Sequence, residues 1–153
     1  MGVLYDYFHA RDTDAVVKLM AETGGHSPLT VQNRQIDAVE AKGIDPTVSL
    51  GQVIAMILDL EWSTHLVPAD AVWPADLEWH EGPWVLDVGE VAQRALARLD
   101  EARIPDLATR WAATEEFRGQ ADPADLARGL NDLSALARLA SATGERLYCW
   151  VCL

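Results

Sequence analysis

The chain has 153 residues, half of them apolar, and sets 24 Asp and Glu against 12 Lys and Arg for a formal charge of −12. A chain of this length buries roughly 68–70% of its unfolded surface in one core, so it folds without a disulfide or a metal. The charge excludes a nucleic-acid binder, whose affinity rests on cations set against phosphates, and no apolar run approaches the about 18 residues of a membrane-spanning helix.

The opening Met1-Gly2-Val3-Leu4-Tyr5-Asp6 lacks the basic region and long apolar stretch of a signal peptide. Asp6 stands where myristoylation favours Ser or Thr, and Trp150-Val151-Cys152-Leu153 does not begin with the Cys that prenylation requires. The expectation is a soluble, cytoplasmic protein.

Val3 to His9 is short, aromatic and β-branched and reads as a strand. Asp12 is a natural N-cap for a helix carrying Val16, Val17, Leu19 and Met20, which Gly24-Gly25 ends. His26 to Arg34 is a loop, and Gln35 to Ala41 fits a strand or a helix equally. Asp45-Pro46 starts a helix, with Asp as cap and Pro where its missing N–H costs nothing. Val48 to Leu58 is apolar nearly all round and is expected at the centre of the core. Periodicity then dissolves from Asp59 to Pro83 into Trp, Pro, acids and two histidines, a length more often functional than not.

Trp84 to Val88 reads as a strand, followed by helices at Glu90 to Ala102, Asp106 to Phe117 and Pro123 to Thr143, the last with a stripe of Leu126, Leu130, Leu133, Leu136 and Leu139. Arg146 to Leu153 is apolar on both alternating faces, as in a strand covered on both sides. The expectation is one domain over residues 1–153. Its fold is of the α/β (α+β) type, an α-β-α layered sandwich with a small mixed sheet that holds both the N- and C-terminal strands.

Charge and aromatic content are segregated along the chain. Between Gly43 and Gln93 there is no Lys or Arg, yet nine carboxylates (Asp45, Asp59, Glu61, Asp70, Asp76, Glu78, Glu81, Asp87 and Glu90) and four of six tryptophans lie there. A surface built from that segment attracts basic groups. Ten of the twelve cations are Arg, mainly on the C-terminal helices and interleaved with acids, the pattern of solvated helix faces.

Cys149-Trp150-Val151-Cys152 has C-x-x-C spacing, but residues three apart on a strand point to opposite faces, so the pair reads as two buried structural thiols. Val39-Glu40-Ala41-Lys42 matches the hydrophobic-acid-x-Lys core of one nuclease class over three residues. The charge and the lack of an upstream partner acid make it a solvated loop. His65 and His80, beside Glu61, Asp76, Glu78 and Glu81, could do acid–base work or bind a metal, although no tight ligand spacing such as H-x-x-x-H is present. Trp84, Trp111 and Trp150 read as core, whereas Trp62, Trp73 and Trp79 are candidates for a pocket or partner surface.

From Glu81 onward the chain resembles the YfbM-like family of small bacterial proteins. The resemblance rests on the Gly82-Pro83 turn, the Trp84 to Glu90 strand and acid-capped helix start, Leu107 and Trp111, the Leu-striped helix, and the Gly turn into a last apolar strand. The Met1-Gly2 opening before an aromatic strand fits as well. The resemblance implies a layered α-β-α fold and no known activity. Asp59 to Pro83 departs from it as an elaboration of this chain.

Two functions follow as expectations. The first is a non-enzymatic binding module of the immunity or inhibitor type, whose acidic, Trp-rich face takes a basic protein partner or small cationic ligand. The second is a small enzyme or ligand-binding protein with a pocket lined by Trp62, Trp73, Trp79 and Trp84, using His65 or His80 with Glu61 or Glu81 as acid and base. No cofactor, nucleic acid or membrane is implied, and the chain is expected as a monomer or homodimer.

Overall fold

The computed structural model describes residues 2–31, 37–77 and 81–153. Five strands form one sheet in the order β2-β1-β5-β4-β3: β1 Leu4–Ala10, β2 Ala38–Glu40, β3 Asp70–Trp73, β4 Trp84–Asp87 and β5 Arg146–Cys152. Every pairing is antiparallel, in place of the mixed sheet expected. Hydrophobic patterning reports which faces of a strand are covered but not its direction, and the antiparallel β5 happens to be covered on both. The C-terminal strand sits at the centre, paired with β1 from Leu4↔Cys152 to Ala10↔Arg146 and with β4 from Trp84↔Val151 to Asp87↔Tyr148.

The helices are α1 Thr13–Thr23, α2 Gly51–Leu58, α3 Glu90–Ala97, α4 Ile104–Ala112 and α5 Pro123–Ala142. Alternation along the strands separates two cores. Phe8, Tyr148, Trp150 and Val85 face α1, whereas Tyr7, Leu147, Cys149 and Val151 face the layer made by α2 to α5. Cys149 and Cys152 accordingly point to opposite faces as free thiols, and burial raises the Cys149 thiol pKa well above its ordinary value.

Local chemistry sets most element boundaries. The Asp12 carboxylate accepts from the Ala15 amide at 2.9 Å to open α1, and Asp122 does the same for α5 through Ala124 at 2.8 Å. Asp45 accepts from Val48 N–H at 2.6 Å and opens a π-helical turn over Pro46–Leu50, which leads without a break into α2. The expected helix at 90–102 is shorter, with a 3₁₀ turn at Glu101–Arg103, and that at 106–117 ends at Ala112 before a second such turn at Glu115–Phe117. The segment 59–83, expected to be irregular, contains the edge strand β3, and the ambiguous segment 35–41 carries the strand β2 at Ala38–Glu40, its first two positions lying outside the described residues.

Asp6 on β1 is 5% exposed and faces the α1 side, where its carboxylate accepts from the Ser27 hydroxyl. Burial raises its pKa above the ordinary 3.8, the Ser27 bond opposes that, and Glu40 directly across the strand pair adds to it. The unfolded chain therefore ionises first as pH rises. Stability from this group is full below 3.8 and falls until the native carboxyl has ionised, so the penalty is complete at neutral pH. Asp6→Asn keeps an acceptor for Ser27 and removes the charge. It should melt above the parent protein at pH 7, with the difference closing as pH falls toward the unfolded value. Melting curves across that range check it, and a constant difference would contradict the assignment.

Candidate functional site

Helix α2 ends on Asp59, which adopts a left-handed conformation at φ 54° while its amide and that of Leu60 return to carbonyls of the last turn (Asp59 N–H to Met56 at 3.4 Å, Leu60 N–H to Ala55 at 2.9 Å). The turn sends Leu60, Glu61 and Trp62 back along the helix. Trp62 comes to rest over Gly51, and its indole N–H donates to the Thr47 carbonyl at 3.1 Å. Glycine is what admits the ring: a Cβ at position 51 would lie 2.9 Å from the indole nitrogen.

Beside this loop runs a groove of about 460 Å³, with α2 and the loop on one side and the end of α4 and the 115–117 turn on the other. Asp59, Glu115 and Glu116 supply carboxylates, Met56, Leu60 and Trp62 the apolar surface, and Arg110 the cation. Leu60 is 56% and Trp62 41% exposed, large values for apolar side chains that share a groove. Glu61 stands exposed between them. Arg110 lies 3.8 Å from Asp106, so its charge is partly answered before any guest arrives.

Gln52 closes the groove floor. Its amide nitrogen donates to Glu116 at 3.0 Å, and its buried carbonyl oxygen has no hydrogen-bond partner among the described residues. The opposite wall is fixed from beneath. Trp111 is fully buried, donates to the Ser49 carbonyl at 2.8 Å, and meets Phe117 edge-on with centroids 5.7 Å apart, which seats the turn bearing Glu115 and Glu116.

The remaining candidates go elsewhere. Trp73 on β3 packs with the α1-side core against Gly25, whereas Trp84 on β4 packs with the opposite core against Gly82. These two rings lie on opposite faces of the sheet and enclose no common pocket with Trp62. Glu81 and His65 are exposed, and Glu78, Trp79 and His80 lie outside the described residues.

Among the described residues, carboxylates of 43–93 serve several separate places. Asp45 caps a helix, Asp87 and Glu90 hold Arg146 and Arg94, and Asp59 lines the groove, whereas the exposed Glu61 is not part of its lining. A strand or helix end spends its carboxylate on the nearest amide or cation, which the linear sequence does not display. The groove is instead completed by Glu115 and Glu116, from outside the acidic segment. Their only sequence signal is two acids just after a helix bearing a buried Trp.

No helix among the described residues is long and apolar enough to cross a membrane. No family model, curated protein or solved structure matches the chain.

Proposed function

We propose that the chain is a non-enzymatic binding module of the immunity or inhibitor type, whose groove beside Trp62 takes a basic segment of a protein partner. The observation that carries this reading is the shared placement of the exposed Leu60 and Trp62 with Asp59, Glu115 and Glu116. An arginine or lysine stem can lie along the indole while its charged end meets the carboxylates. That arrangement combines cation–π attraction with a charge-assisted hydrogen bond.

The test is titration with a short amphipathic peptide of alternating Arg and Leu, followed through the Trp62 indole N–H resonance. Binding should weaken as salt is raised. Trp62→Ala should lower affinity by about 10- to 30-fold, the range of an aromatic anchor, and Glu115→Gln with Glu116→Gln should lower it in the same direction. Gly51→Ala provides an independent check, because its Cβ displaces the indole from Thr47 without touching a charge. Equal binding by the parent and these variants, or equal binding of a Glu-for-Arg peptide, refutes the reading. If arginine amide alone matched the peptide, the occupant would be a small cation and not a protein segment.

A further inference from the structure

A second cleft, of about 570 Å³, opens where α3, the end of α5 and the start of β5 meet. It gathers Arg94, Arg98, Arg138 and Arg146, a third of the cations of the chain, against two lining carboxylates, Glu90 and Glu145. The lining alone is formally two charges positive, with Asp87 and Glu101 standing just behind it as partners of Arg146 and Arg138. Arginines brought to one cleft from three elements are not a feature of solvated helix faces, where each cation alternates with an acid.

The cleft is also built. Gln93 ties α3 to the entry of β5, donating to the Glu145 carbonyl at 2.9 Å and Ser141 Oγ at 3.2 Å while accepting from Leu147 N–H at 3.1 Å. Arg138 donates at 2.7 Å to Ser134 Oγ, which is buried and itself anchored on the Leu96 carbonyl at 2.8 Å. Glu145 is engaged by His9. Arg94 and Arg146 are held by Glu90 and Asp87 at 2.5 and 2.6 Å, and Glu101 lies 3.5 Å from Arg138. Arg98 has no carboxylate partner among the described residues.

From this arrangement we infer that the cleft is a binding site for a small phosphorylated molecule, separate from the acidic groove. The Arg94–Glu90 and Arg138–Glu101 pairs are solvent-exposed and worth about 0–1 kcal/mol each, so a guest can exchange them. A guest carboxylate would replace like with like. A phosphate group carries nearly two negative charges and three acceptor oxygens, which suit the planar forks of several guanidinium groups at once. The volume lies in the range of small-molecule sites.

The probe is sodium tripolyphosphate at low salt, with citrate as the polycarboxylate comparison, read by calorimetric titration and by melting temperature. Tripolyphosphate should bind and raise the melting temperature. Arg98→Gln should weaken it by about tenfold, and Arg98→Gln with Arg138→Gln by more. Arg128→Gln, which removes the same charge on α5 outside the cleft, should leave it unchanged. Far-ultraviolet circular dichroism of each variant separates lost binding from lost structure. The inference is overturned by no binding at a few millimolar probe, by equal losses from Arg128→Gln and Arg98→Gln, or by citrate binding as tightly as tripolyphosphate.

Discussion

Truncation of Trp111 to Ala is expected to cost about 3–5 kcal/mol of folding stability, the range for deleting a large aromatic from a packed core. The ring is fully buried among residues of α2, α4 and α5, and its indole N–H is the hydrogen bond joining α4 to the first turn before α2. Removing it opens a cavity and leaves the Ser49 carbonyl without that donor. Trp111→Phe keeps most of the ring but not the N–H, so its cost should be nearer 1–2 kcal/mol. At roughly 2–4 °C per kcal/mol for a domain of this size, thermal melts followed by circular dichroism distinguish the two. A loss below about 1 kcal/mol for the Ala variant would mean that the site collapses around the deletion. A consequence extends to the groove. Phe117 rests edge-on against Trp111, so Trp111→Phe, though folded, should loosen the turn carrying Glu115 and Glu116 and weaken peptide binding.

Elements with a cap and a strong period were legible from the residues alone. Asp12 does cap α1 and Asp45 the turn that leads into α2, and β5 is the doubly covered central strand that its two apolar faces announce. Strand β3 carries little sequence signal because Asp70 to Trp73 holds a single β-branched residue and lies at an edge. Helix α2 is apolar nearly all round and places Val53, Ile54 and Ala55 in the core as expected, yet Met56 and Leu58 reach the surface, because the left-handed turn at Asp59 folds the chain back and leaves one side open.

The site was legible in part for the same kind of reason. Glu61 and Trp62 are neighbours in sequence and remain so in space. Trp73 and Trp84 are eleven positions apart, but the pleat and the bulge between Ala71 and Trp73 decide which face each ring takes. The arginine cleft was invisible because Arg98, Arg138 and Arg146 meet only through the packing of α3 on α5 and the turn into β5.

Three of the central tryptophans share one device, a glycine beneath the ring, and substitution at two of those glycines should separate stability from binding. Gly82 has φ 92°, and a Cβ there would stand 2.9 Å from Trp84 Cζ3 and 3.2 Å from two further ring carbons. Trp84 is packed on the main core and cannot swing aside freely. Gly82→Ala should therefore cost about 2–4 kcal/mol, backbone strain and overpacking together. Gly119 also has positive φ, at 70°, but faces open space, so Gly119→Ala should show the conformational cost alone, about 1–2 kcal/mol. The difference between the two measures the clash with Trp84. Gly51 is helical, and its Cβ would crowd the exposed Trp62 indole while meeting the Pro46 carbonyl at an ordinary 3.8 Å, so Gly51→Ala should barely change the denaturation midpoint while weakening peptide binding. Gly82→Ala should do the reverse, losing stability while the folded fraction binds as before. The same pattern in both variants would mean that Trp62 is part of the core and not the anchor of a recognition groove.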